Sequence, residues 1–232
     1  MTLPAGLTNL ANLDLFENAL TSLALPAGLI ALTNLDLGLN QLTSFTMPSG
    51  ATNLTTLSFF SNQLTNLHLA TDMKKLNLLS LSGNKLRGLD LPSGLTALTF
   101  LNLNGNQLTN LTLPPDMQQL IGLFVDGNPL ATLVLSEPLA ATNLAATVAT
   151  LRSQGVSVFT YSLTIHWNSP RRNFGGNFEF TLTGPPGLYT VFGSVDLAVW
   201  SAVGTATNNL GSAVFTDLTA NLSARKFYRA SQ

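Results

Sequence analysis

The sequence contains no cysteine. That excludes disulfide staples, thiolate metal sites and cysteine nucleophiles. Charge is scarce as well: acidic and basic residues make up 9% of the chain, against roughly 25% in an average soluble domain. The formal net charge is −1, so no global field draws in nucleic acid or an anionic membrane. The two histidines, His68 and His166, are far apart in the chain, and neither belongs to a cluster with metal-ligand spacing. No apolar run reaches the roughly 18–20 residues needed to span a bilayer, so membrane insertion is not expected. Met1 leads straight into "TLPAGL", without the charged and apolar regions of a signal peptide. If the protein is exported, the expectation is that its signal was removed or lies outside this stretch. No nucleophile elbow, phosphate loop or dinucleotide fingerprint is present. These absences argue against an enzyme, and against a resident metal or cofactor.

What is abundant is leucine, and it is periodic. "LTNLDLGLNQL" at 32–42 returns as "LTTLSFFSNQL" at 54–64 and "LTFLNLNGNQL" at 98–108. From Leu3, six units follow at a constant step of 22 residues without insertion or deletion. One such unit cannot bury its own leucines, whereas stacked units bury them in one continuous core. Leu13 and Leu15, Leu35 and Leu37, Leu79 and Leu81, and Leu101 and Leu103 alternate with polar residues, the period-two signature of a strand. Equivalent residues of successive units then stack about 4.8 Å apart in a parallel sheet.

A period in this range with the pattern L-x-x-L-x-L-x-x-N-x-L resembles the leucine-rich repeat family, over about residues 3–161. The "LPAGL" and "LPSGL" segments are similar to those of bacterial subtypes. The resemblance implies a right-handed solenoid with a parallel sheet, little helix and a C-terminal helical cap. It also implies that the recurring asparagines, Asn18, Asn40, Asn62, Asn84, Asn106 and Asn128, turn inward and bond the backbone of adjoining coils. Each such bond would spare a buried orphan group costing roughly 1–3 kcal/mol. The remainder of each unit reads as a short extended segment on the convex side, turned by Pro26, Pro48, Pro92 and Pro114. His68 and Asp90 share a column there and could pair. "VDGNP" imitates part of a calcium loop, but its Asn128 is a framework residue.

The two ends of the array differ. "TNLAATVATLRSQGVSVFTY" breaks the phrase: Asn143 suits a helix N-cap, Leu144, Val148 and Leu151 line one face, and Gly155 suits the helix stop. No polar cap precedes Leu3, so the array is expected to continue beyond this stretch, or its first coil to fray or self-associate.

Function in such solenoids sits at positions pointing out from the sheet. Asp14, Glu17 and Asp36 make an acidic end. Phe16, Leu39, Phe60, Leu78, Phe100 and Phe124 run as an apolar diagonal, with Asn102 among them. Aromatic anchors in a polar surround suit a protein or peptide partner, here one with basic character. The same rings could stack on a glycan. A third possibility is a structural or assembly spacer.

After Tyr161 the pattern becomes "SLTIHW", "NFEFTLT", "LYTVFG", "LAVWSAV", "SAVFTD" and "KFYRA", separated by "PRRNFGGN", "GPPG" and "TNNLG". Six short strands in this length predict a small all-β sandwich over 162–232. "GPPGLYTVFGSVDLAVW" and "ARKFYRA" resemble a β-rich C-terminal module of large secreted proteins from Verrucomicrobia-like bacteria, which implies export to the medium or the cell surface. Asp196 and Trp200 read as turn and core residues, and the arginines of this part as solvated surface.

Overall fold

The computed structural model describes residues 1–220 and 225–232. Ala224, the first residue of "ARKFYRA", therefore lies outside the described residues. The chain divides into two compact units, Met1–Val158 and Phe159–Gln232.

The first unit is a β-solenoid with little helix. Six three-residue strands, β1 (Asn12–Asp14), β2 (Asn34–Asp36), β4 (Thr56–Ser58), β6 (Leu78–Ser80), β7 (Phe100–Asn102) and β9 (Gly122–Phe124), form one sheet in that order. Every pair is parallel and in register, so Leu13, Leu35, Leu57, Leu79, Leu101 and Leu123 form one inward row. That row joins a single leucine core running from Leu29 to Val156. Strands this short satisfy few backbone groups themselves, and the asparagine column supplies more. Asn84 Nδ2 donates to Phe59 O of the preceding coil (2.9 Å) and to Leu81 O of its own (3.0 Å), and Asn84 Oδ1 accepts from Leu64 N–H (2.9 Å). Asn40, Asn62, Asn106 and Asn128 repeat this pattern. Asn18 differs: it is exposed, and its bonds to Leu15 O and Phe16 O stay within its own coil. The leucines around it, such as Leu13, Leu15 and Leu20, are only half-buried.

A second, discontinuous row lies in the other half of the coils. β3 (Ser44–Thr46) pairs with β5 (Asn66–His68), and β8 (Asn110–Thr112) with β10 (Thr132–Ser136), both parallel. Between them Gly88, Leu89 and Asp90 form no strand. His68 and Asp90 line the resulting cleft of about 410 Å³, and among the described residues no ion pair joins them.

Two helices follow, α1 (Glu137–Ala141) and α2 (Ala145–Ser153), and their Leu139, Leu144, Val148 and Leu151 enter the leucine core. The expected N-cap is corrected: Leu144 holds that position without a side-chain cap bond. Asn143 Nδ2 reaches instead to Gln118 O of the neighbouring coil (3.3 Å). The stop is as Gly155 predicts. At φ +88° it donates to Arg152 O, and Val156 N–H returns to Leu151 O, the two bonds of a Schellman turn. β11 (Ser157–Tyr161), whose first residue donates to Ala131 O (2.9 Å), leads out of the solenoid.

The second unit contains two antiparallel three-stranded sheets. One has the order β12 (His166–Arg172), β13 (Phe178–Thr183), β16 (Ser212–Asp217); the other has β15 (Ser201–Asn208), β14 (Gly187–Ser194), β17 (Phe227–Ser231). Phe180, Val191, Ala206 and Phe215 form its core, and Trp167 and Tyr228 pack against it. Two strands lie later in the chain than the alternation of apolar residues indicates. β12 runs through "PRR", because a bulge with Ser169 at φ +53° accommodates Pro170. "LAVW" is a turn, because Asp196 Oδ1 takes the N–H groups of Ala198 and Val199 (2.9 and 3.0 Å) before β15 can pair.

Candidate binding face

Because the inward row is leucine, the alternate residues of the six-stranded sheet point away from the core. One outward column reads Asn12, Asn34, Thr56, Leu78, Phe100, Gly122, and the other Asp14, Asp36, Ser58, Ser80, Asn102, Phe124. Phe16, Leu39, Phe100 and Phe124 are exposed, while Phe60 and Leu78 are half-buried.

Within the apolar diagonal, two groups of rings are each seated over a glycine. The Phe16 and Phe60 rings lie 5.7 Å apart, although their residues belong to coils once removed. Gly38 stands between them, where a Cβ would meet Phe60 Cε1 at 2.5 Å. Phe60 thus lies over a position without a side chain. The same device recurs at the other end: a Cβ on Gly122 would meet Phe100 Cδ1 at 2.5 Å and Phe124 Cε2 at 3.0 Å. Leu78 sits in register beside Phe100, between the two groups. Spacing alone gives Gly38 and Gly122 no role on this face. The available signal was a glycine one coil away from a phenylalanine in a column otherwise filled by side chains.

The acidic end is more structured than its charge indicates. Asp14 Oδ1 accepts the Phe16 N–H (2.9 Å) and Asp36 Oδ1 the Gly38 N–H (2.8 Å). Asn102 does the same for Asn104 (3.1 Å). These side chains close the turn after each strand, leaving the second carboxylate oxygen of each aspartate for a partner. Glu17 and Leu39 lie in that turn, not on the strand. With Ser61, Gly83, Gly105 and Gly127 they form a column in which all six residues have φ between +51° and +70°. The last three coils meet this demand with glycine. The first three carry side chains there, at a cost of roughly 1–2 kcal/mol each. The structure therefore brings Asp14, Phe16, Glu17, Asp36, Leu39 and Phe60 to one end of the sheet, and Phe100, Asn102 and Phe124 to the other.

Residues 74–115 match the family model for leucine-rich repeats, in two copies. Over that stretch the chain is similar to leucine-rich repeats. The matched stretch lies inside the solenoid, spanning β6, β7 and β8 and the asparagines Asn84 and Asn106. No curated protein matches the chain. Leucine-rich repeats are typically scaffolds for protein interaction without catalysis, and the repeat fold here presents its outward columns as such a scaffold does. Among the described residues, no three acidic or histidine side chains come together as a metal site would require, and no helix is long and apolar enough to cross a membrane.

Proposed function

We propose that this is a non-enzymatic, secreted or cell-surface protein that captures a protein or peptide on the concave face of its repeats. In this reading 162–232 is an accessory module of a bacterial exported protein. The observation that carries the proposal is the pair of glycine-seated phenylalanine groups. Each places large apolar area on an open sheet face, held by packing against backbone rather than by burial. Rigid aromatic anchors with a polar surround are what interfaces use at their centres. The strained, side-chain-bearing turns of Glu17 and Leu39 add to the reading, since backbone strain collects where function holds it. Asp14, Glu17 and Asp36 favour a basic segment beside Phe16 and Phe60.

The test is capture from culture and cell-surface extracts, comparing the native chain with a Phe60→Asp/Phe100→Asp variant of unchanged unfolding midpoint. Enrichment of a protein by the native chain alone is the expected result. Equal enrichment by both overturns the assignment to this face. A glycan-array signal lost in the variant would replace the peptide ligand with a sugar.

A further inference from the structure

The strand order of the second unit collects two turns and both flanks of a third connection at one end. The β12–β13 turn covers 173–177 and the β14–β15 turn 195–200, while the third connection leaves β16 at Asp217 and reaches β17 at Phe227. Register fixes their proximity. Phe178 pairs with Asp217 in one sheet and Ser194 with Phe227 in the other, and Tyr228 Oη donates to Asp217 Oδ2 (2.9 Å) from sheet to sheet. The chain comes into this unit at the opposite end, where Gly211 lies against Thr160 and Tyr161.

Charge is segregated in the same direction. The five basic and three acidic residues of 159–232 all lie toward that first end, and the end where the chain enters has none. The acids are engaged: Glu179 by Arg171, Asp217 by Lys226, and Asp196 by the backbone of its own turn. Among the described residues no carboxylate pairs with Arg172, Arg225 or Arg229. The end is therefore basic, although the whole chain has a net charge of −1.

The same turns expose apolar side chains. Phe174 is 114% exposed, more than in an extended peptide, and Val199 and Leu218 are 72% and 69% exposed. Leu197 is also exposed, and its φ of +67° is held by Ser194 Oγ, which accepts its N–H (2.9 Å). Behind these tips Trp200 is half-buried, with the Arg229 guanidinium 4.7 Å over its ring. The apolar tips stand on separate turns, and the one cleft described among them is lined by Arg171, Arg172, Asn173 and Phe174. A protein partner would need a matching pocket for each, whereas a fluid interface closes around all of them.

We infer that this end of the second unit adsorbs to anionic lipid surfaces. Phe174, Leu197, Val199 and Leu218 enter the boundary between headgroups and acyl chains, and Arg172, Arg225 and Arg229 meet the headgroup charge. Trp200 then lies at headgroup depth, where amphipathic rings concentrate. The inference does not depend on the repeat face.

Co-sedimentation of the full chain with vesicles tests it, using phosphatidylcholine alone and phosphatidylcholine with roughly a third phosphatidylserine. Binding to the anionic vesicles, weakened by salt, is expected. Phe174→Asp/Val199→Asp should reduce it by roughly a hundredfold, about tenfold for each side chain kept out of the interface. Arg225→Gln should reduce it roughly fivefold. Both variants alter exposed side chains, and unchanged unfolding midpoints show that the fold is kept. No sedimentation with anionic vesicles at low salt overturns the inference, and so does undiminished binding by the apolar double variant. Equal binding to soluble polyglutamate overturns it in favour of an acidic protein partner.

Discussion

In the solenoid one asparagine, repeated every 22 residues, joins each coil to the one before it. In the second unit a single cluster takes on the comparable task. Asp217, 1% exposed, accepts from Lys226 Nζ (2.7 Å), Tyr228 Oη and Thr219. Burial alone would raise the Asp217 pKa, but Lys226, Thr219 and Tyr228 outweigh it and hold the carboxyl below its usual value. Burial, and then the adjoining Asp217, push the Tyr228 hydroxyl well above its ordinary range. At the opposite end Asn208, fully buried, donates to Gly184 O and Pro185 O and accepts from Gly211 N–H. The solenoid thus distributes its polar bonds over equal neighbours, and damage to one coil is shared with adjacent coils only. The second unit concentrates them, so its stability depends on a few residues with no equivalents.

The largest test of this contrast is Asn84→Ala. It leaves Leu64 N–H and the Phe59 and Leu81 carbonyls without their side-chain partner, and should cost at least about 3 kcal/mol at roughly 1–3 kcal/mol per orphan group. Hydrogen exchange should then rise in the coils around residues 59–86 and leave the second unit unchanged. A rise across both units would mean that the two are not energetically separate.

Asp217→Asn should cost about 3 kcal/mol, because it removes the charge of a buried carboxylate that pairs with the half-buried Lys226 ammonium. The loss should appear across the whole second unit in exchange measurements. The acid limb sharpens the point. A depressed carboxylate stabilises the fold above its unfolded pKa of about 4, and that contribution disappears as pH falls through the lower folded value. Thermal unfolding of the second unit should therefore become easier below about pH 4, and the Asn variant should flatten this dependence.

Smaller effects separate position from residue type inside the solenoid. Gly105→Ala should cost about 1 kcal/mol, since its φ of +64° penalises any side chain even though the nearest atom to an added Cβ is 3.6 Å away. Asn18→Ala should cost less than about 0.5 kcal/mol in chemical denaturation, as expected for an exposed site. It belongs to the same column as Asn84 but makes no bond to a preceding coil. Similar costs for Asn18 and Asn84 would mean that the bonds within a coil, rather than those between coils, carry the column.

Much of the solenoid was legible because its physics is local and repeated. A leucine at fixed spacing identifies the core side of a strand, and an asparagine at fixed spacing identifies a recurring backbone need. The second unit was less legible. Its six strands were foreseen, but β12 and β15 were displaced by the Ser169 bulge and the Asp196 turn, features set by single residues without a period. On the candidate face, the columns and their exposed phenylalanines could be read from the spacing. The seating of two groups over glycines could not, since it depends on how a ring in one coil leans across the next.

The sequence by itself determined the repeat length, the register of the leucines and the inward asparagines, because each follows from the spacing of neighbours along the chain. The tertiary structure decided what stands beside what. It set Phe60 over Gly38 and Phe100 over Gly122, committed Asp14 and Asp36 to their own turns, and gathered the charges of the second unit at one end. Those arrangements depend on distances between residues far apart in the chain, which packing sets and no local pattern encodes.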